Sequence, residues 1–82
     1  MEQWLRCRVF KGMFSNERTI VVRVKGNGSV EFIVPQSSVQ ENNDEGRVRV
    51  TVVNRADAKW AVIPTAYRES VPIEEAELVA SP

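Results

Sequence analysis

Histidine is absent from this chain of 82 residues, and cysteine occurs once, at Cys7. The missing histidine removes the usual general base near neutral pH and the commonest transition-metal ligand. A lone cysteine excludes an internal disulfide and any zinc site built on paired cysteines. We therefore expect no metal, no cofactor and a reducing, cytoplasmic environment.

Long apolar runs are also missing. Glu2 and Arg6 interrupt the first residues, so the start of the chain does not resemble a signal peptide. The apolar runs elsewhere fall far short of the roughly 20 residues that span a bilayer. These features predict a protein with no membrane partner.

Neither sign of charge is in excess, because 11 Lys and Arg balance 11 Asp and Glu. The cations are concentrated in the part of the chain up to Lys25, whereas the stretch from Glu69 onward carries only acids. Such asymmetry is typical of a basic binding face with an acidic tail. It is also typical of strands that use cations to resist edge-to-edge aggregation, and we favour this second interpretation because the chain has no excess of positive charge.

Alternation of apolar and polar residues is what the chain does have. Segments 19–25 and 47–53 alternate Val or Ile with cations and other polar residues. Side chains of a strand point to opposite faces in turn, so this period of two predicts a sheet with one dry face and one cationic face. The cations predicted to share the second face are Arg23, Lys25, Arg47 and Arg49.

The same pattern and the turn residues between its segments predict an all-β fold in a single small domain over 1–79, with a frayed end at 80–82. The predicted strands are 4–10, 18–25, 30–34, 47–53, 59–63 and a short sixth at 70–73. Helical turns are expected at 36–39 and 74–79, and an exposed loop at 40–46. We expect a barrel of five to six short antiparallel strands, because closure removes sheet edges. An SH3-like barrel is favoured over an oligonucleotide-binding-type barrel.

Two passages of the chain look alike. Segments 34–39 and 71–76 each suggest the end of a strand, a proline and a short helical turn. Two instances are too few to indicate an internal repeat, so we expect chance similarity or two similar strand exits.

No residue set predicts catalysis. Ser15, Ser37 and Ser38 lie near predicted turns, where serine usually bonds the local backbone. A serine nucleophile needs an adjacent base, and adjacent carboxylates such as Glu74 and Glu75 seldom converge on one substrate. We therefore expect a non-catalytic protein.

The first strand has an unusual outer face, formed by Trp4, Arg6, Arg8 and Phe10. Rings that stack on bases and arginines that bind phosphates suit single-stranded nucleic acid. The cations of the neighbouring strands, namely Arg23, Lys25, Arg47, Arg49 and Lys59, would widen this site. Against this stands the expectation that Trp4 and Phe10 bend into the core, as we also expect for Trp60.

The first loop carries Met13 and Phe14 at its tip. Exposed, this pair would anchor a protein partner, but we expect it to fold back over one end of the barrel. The leading hypothesis is an interaction module that binds a protein partner through Met13, Phe14 and Tyr67. Binding of single-stranded nucleic acid is the alternative, and a structural subunit of a homo-oligomer is a third.

Overall fold

The computed structural model describes residues 2–26, 28–42 and 45–79, and strands dominate it. The strands are β1 (Glu2–Lys11), β2 (Glu17–Arg23), β3 (Ser29–Pro35), β4 (Val39–Asn42), β5 (Glu45–Arg55), β6 (Ala58–Val62), β7 (Ser70–Ile73) and β8 (Leu78–Val79). Short 3-10 helices at Gln36–Ser38 and Glu75–Glu77 precede β4 and β8. In the described part of the chain, no helix is long and apolar enough to cross a membrane.

The strands form one antiparallel sheet in the order β3-β2-β1-β5-β6-β7, which curls into a half-barrel. Outside this order, β4 pairs with β5 and β8 pairs with β1. The predicted small all-β fold is therefore confirmed. The architecture is compatible with both the SH3-like and the oligonucleotide-binding-type barrel.

The core lies on the concave face of the sheet and follows the predicted alternation. Leu5, Ile20 and Val48 are fully buried there, and Cys7 is buried beside them. Full burial of an aliphatic side chain of this size contributes roughly 1.5–3 kcal/mol, so these alternating positions are the main source of stability. The prediction that Cys7 is an inert core residue agrees with this position.

The prediction of an exposed loop over 40–46 is wrong for its described residues. Gln40 pairs with Arg47, and Asn42 pairs with Glu45, so β4 and the start of β5 form a hairpin. The polar composition concealed these strands, because backbone pairing needs no apolar side chain when only Val39 reaches the core. Positions 43 and 44 lie outside the described residues, as does the predicted frayed end at 80–82.

The two halves of the chain repeat one arrangement. Each half has three consecutive antiparallel strands, then a 3-10 helix, then a short strand that pairs with the first strand of the other half. Val39 in β4 lies opposite Val48, and Leu78 in β8 lies opposite Leu5. Leu5 and Val48 also lie opposite each other in the central β1–β5 pair. An approximate two-fold axis, called the dyad below, therefore passes through the Leu5–Val48 pair.

The buried residues obey the same dyad. Each half supplies seven members of the described core, at matching positions in its three strands or, for Ile63, directly after one of them. The matched pairs are Leu5 and Val48, Cys7 and Val50, Val9 and Val52, Ile20 and Ala61, Val22 and Ile63, Phe32 and Val71, and Val34 and Ile73. The two halves therefore repeat the positions of their buried residues, whereas the likeness of segments 34–39 and 71–76 lies out of register with this repeat.

The prolines concealed this repeat. Pro35 ends β3, whereas Pro72 lies inside β7, so aligning the two prolines shifts the halves by two residues. The structural partner of Val34 is Ile73 rather than Val71, because both lie opposite equivalent residues of the preceding strand.

Glycines permit a tight turn and a close contact between strands. Gly26 and Gly28 have φ angles of 96° and 89°, as predicted for the turn between β2 and β3, while Asn27 lies outside the described residues. Gly46 of β5 lies opposite Glu41 of the neighbouring strand β4. A Cβ atom there would collide with the Gln40 carbonyl oxygen and lie 2.9 Å from Cγ2 of Val9.

Candidate functional site

The outer faces of β1 and β5 place the candidate arginines on adjacent central strands. Trp4 lies opposite Arg49, Arg6 opposite Arg47, and Arg8 opposite Glu45. Directly opposed side chains on one sheet face are about 5 Å apart at Cβ. The register thus joins Trp4, Arg6, Arg8, Arg47 and Arg49 into one surface, called the arginine face below.

Two arginines of this face stack on aromatic rings. The Arg49 Cζ lies 5.7 Å from the centroid of the Trp4 ring, and the Arg8 Cζ lies 5.3 Å from that of Phe10. Arg49 also donates a hydrogen bond from Nη2 to the Ser37 carbonyl oxygen at 3.1 Å. Exposed cation–π contacts contribute about 0.5–1 kcal/mol each, enough to favour one orientation of the guanidinium.

The expectation that Trp4, Phe10 and Trp60 enter the core is wrong. Trp4 and Trp60 are half-buried, and Phe10 is 41% exposed. The pairings that contain Trp4, Phe10 and Trp60, namely β1 with β5, β1 with β2 and β5 with β6, run without interruption, so no bulge turns these side chains inward. Aliphatic residues and Phe32 fill the core in their place.

Arg23 extends the arginine face, but Lys25 does not. Arg23 is exposed at the end of β2 and lines a groove with Arg6 and Arg8. Lys25 follows the end of β2, and its backbone N–H donates to the Pro72 carbonyl oxygen at 2.9 Å. The backbone of Lys25 therefore connects the end of β2 to β7.

Lys59 also lies apart from the arginine face. It lies in β6, opposite Asn54 and Ile73, and forms an ion pair with Glu75 at 3.5 Å. Of the cations that the sequence assigns to one binding surface, Lys25 and Lys59 thus lie outside the arginine face.

Met13 and Phe14 do not fold back as expected. They are 84% and 62% exposed, and they line a groove with Phe10. The turn is held by a hydrogen bond from the Glu17 N–H to the Phe14 carbonyl oxygen at 3.1 Å, which leaves both side chains outside the core.

Tyr67 lies in the loop between β6 and β7 and is 87% exposed. It lines a different groove, beside Ile33 and Pro35 of β3. The three residues predicted to contact a protein partner are thus exposed, but they line two grooves rather than one.

Cys7 is a buried thiol on the core face of β1. Burial raises the pKa of the Cys7 thiol to about 12, so the thiolate is scarce near neutral pH. Within the described ranges, no three His, Cys, Asp or Glu residues converge to hold a metal ion.

One further arginine, Arg68, was missed by the sequence analysis. It lies in the loop after β6 and lines a groove with Arg49. No strand pattern marks Arg68, because its place beside Arg49 depends on how this loop folds over the barrel end.

No family model, no curated protein and no solved structure matches this chain. Its function therefore has to be inferred from the chemistry of its own residues.

Proposed function

We propose that this protein is a non-catalytic module that binds single-stranded nucleic acid on the arginine face. The observation that carries the proposal is the register of β1 and β5, which sets Arg6 opposite Arg47 and Trp4 opposite Arg49. Alignment of these residue types on two adjacent central strands forms a continuous cationic and aromatic surface. Single strands bind such surfaces through phosphate contacts and base stacking.

The charges around this face support the proposal despite a net charge of zero. Two acids of the molecule are engaged elsewhere, Glu41 with Arg18 at 2.7 Å and Glu75 with Lys59 at 3.5 Å. Glu45 lies opposite Arg8, and Glu77 lines the groove beside Arg6 and Arg8, so these two acids offset part of the charge. We therefore expect modest affinity with a steep dependence on salt.

Oligonucleotide-binding-type barrels also bind a single nucleic-acid strand on a face of their sheet. The proposal therefore favours that barrel class by analogy, whereas an SH3-like barrel accords with the protein-partner hypothesis. We favour nucleic-acid binding over the protein-partner hypothesis because the arginines share one face. Tyr67, by contrast, lines a different groove from Met13 and Phe14.

Fluorescence anisotropy of labelled single-stranded DNA and RNA tests the proposal. The wild-type protein should bind at low salt and lose affinity steeply as salt rises. The double variant Arg6→Gln/Arg8→Gln should lower the slope of log K against log salt by about 1.4, or about 0.7 for each lost phosphate contact.

Arg55→Gln is the matched control, because Arg55 is also exposed and stacked, with its Cζ 5.8 Å from the Trp60 ring centroid. This control should leave affinity and slope unchanged. Absence of binding at low salt, or equal losses in the double variant and the control, would exclude the arginine face as the site.

A second candidate function is supported by the exposed pair Met13 and Phe14. With Phe10, they form an apolar groove beside the Arg18–Glu41 ion pair. Methionine and phenylalanine adapt to and fill partner pockets, so this groove suits a protein partner. Quantitative pull-down with Phe14→Ala and Tyr67→Ala tests it, and unchanged recovery of every partner by both variants would rule it out.

A further inference from the structure

Each half of the chain carries a groove at the same place relative to the dyad. One groove lies beside Arg6 and Arg8 of β1, and the other lies beside Arg49 and Thr51 of β5. The dyad relates Arg6 to Arg49, because the dyad passes through the Leu5–Val48 pair, Arg6 follows Leu5 in the chain and Arg49 follows Val48. The grooves share their backbone framework and differ in their side chains.

The two grooves differ in charge. The groove beside Arg6 contains the carboxylates of Glu45 and Glu77 as well as its arginines. At the position that the dyad matches to Glu77, the second groove has Ser38, the last residue of the first 3-10 helix. Its described lining contains no carboxylate, so nothing within it repels an anion.

Two arginines, Arg49 and Arg68, line the second groove together with three hydroxyl residues, Ser38, Thr51 and Thr65. Thr65 Oγ1 accepts a hydrogen bond from the Glu69 N–H at 3.3 Å, which leaves its hydroxyl proton available to a further acceptor. Glu69 itself lines the groove of Tyr67 on the other side of this loop.

Arg68 has an unusual backbone. Its φ angle is 52°, a left-handed conformation that glycine or asparagine adopts at lower cost. Among the residues that the structure describes, the Arg68 side chain has no ion-pair partner. A strained backbone position therefore places Arg68 in the lining of a groove whose described residues include no carboxylate.

We propose that this groove, called the Arg68 groove below, is a binding site for a phosphate group. Two guanidinium groups from different elements supply several N–H donors, and guanidinium–phosphate contacts are among the stronger hydrogen bonds in proteins. Hydroxyl groups complete the set of donors around a tetrahedral oxyanion. The groove shares Arg49 with the arginine face, but it goes beyond the proposed function, because a free phosphate needs no contact with Trp4 or Arg6.

NMR titration of the full-length, ¹⁵N-labelled protein with sodium phosphate, at constant ionic strength, tests the site. Amide shifts should concentrate at Ser38, Thr51 and residues 65–68. Arg68→Asn should weaken phosphate binding roughly tenfold or more, because it removes a charged donor. The same variant should not lower stability, since asparagine tolerates the left-handed backbone.

Lys11→Asn is the control, because it removes one exposed cation near Met13, at a different groove. The control should bind phosphate like the wild type. Scattered shifts across many cations, or equal affinity in wild type and Arg68→Asn, would overturn the proposal.

A competition experiment identifies the source of the phosphate. If a single-stranded oligonucleotide displaces phosphate from the Arg68 groove, the backbone of a nucleic acid is the natural ligand. If phosphate binds there and the oligonucleotide does not compete, the ligand is free phosphate or a phosphomonoester. A protein that binds oligonucleotides through Arg6 and Arg8, yet shows no phosphate shifts, retains the proposed function and loses this site.

Discussion

Cys7 shows how strongly one position is governed by its surroundings. It lies on the inner face of β1, where the dyad matches it to Val50, and both residues pack in the same core. Desolvation disfavours the charged thiolate, which is why the pKa of Cys7 rises to about 12. The residue acts as a small apolar side chain.

The raised pKa of Cys7 predicts that stability falls at alkaline pH. The unfolded thiol titrates near pH 9.0, below the folded pKa, so the contribution is fully present below about pH 9 and is lost as pH rises toward about 12. Urea unfolding of wild type and Cys7→Ala at neutral and alkaline pH measures this effect. The free-energy difference between them should shrink as pH rises, and parallel pH profiles would contradict the prediction.

Among the elements, the β1–β2 hairpin has its own clamp. Arg18 donates from Nε to Glu41 Oε2 at 2.7 Å, and from Nη1 to the carbonyl oxygens of Glu17 and Ser15 at 2.7 and 3.0 Å. These bonds join β2 to β4 and hold the first loop. The clamp explains how a loop with exposed Met13 and Phe14 keeps a defined shape.

Arg18→Ala should therefore destabilise the protein by about 1 kcal/mol, a value that allows for solvent screening of a partly exposed pair. Hydrogen exchange should speed up in residues 13–17. Lys59→Ala is the control, because Lys59 matches Arg18 through the dyad but pairs with a Glu75 whose side chain is 78% exposed. The control should cost less than about 0.5 kcal/mol, and equal losses would show that the clamp does not stabilise the hairpin.

For the molecule as a whole, the dyad makes the two halves interdependent. β4 completes the sheet beside β5, and β8 completes it beside β1, so each half contributes a strand to the other. The seven core residues of one half pack against the seven of the other across the β1–β5 pair. Neither half has a separate core.

This shared core predicts cooperative unfolding of both halves. Trp4 reports on β1, and Trp60 reports on β6. The single-tryptophan variants Trp60→Phe and Trp4→Phe, unfolded in urea, should each show one fluorescence transition that coincides with circular dichroism on the same variant. A fluorescence midpoint that departs from circular dichroism in either variant would show that the halves unfold separately.

The errors of sequence analysis have common physical causes. Trp4, Phe10 and Trp60 were assigned to the core because large aromatics usually dominate it, but the sheet face on which they lie is open to solvent. β4 was missed because its backbone pairs with β5 without an apolar side-chain pattern. The Arg68 groove left no trace in the sequence, because it depends on a loop that follows β6.

The local alternation of residues was sufficient to determine that the chain is all-β and which aliphatic side chains of the strands are buried, because strand faces depend only on neighbouring residues. Only the tertiary structure decided that β1 lies beside β5, that the arginines form one face, and that the halves repeat about a dyad. Those features join residues about 40 positions apart, through backbone hydrogen bonds and shared core packing that no short segment specifies.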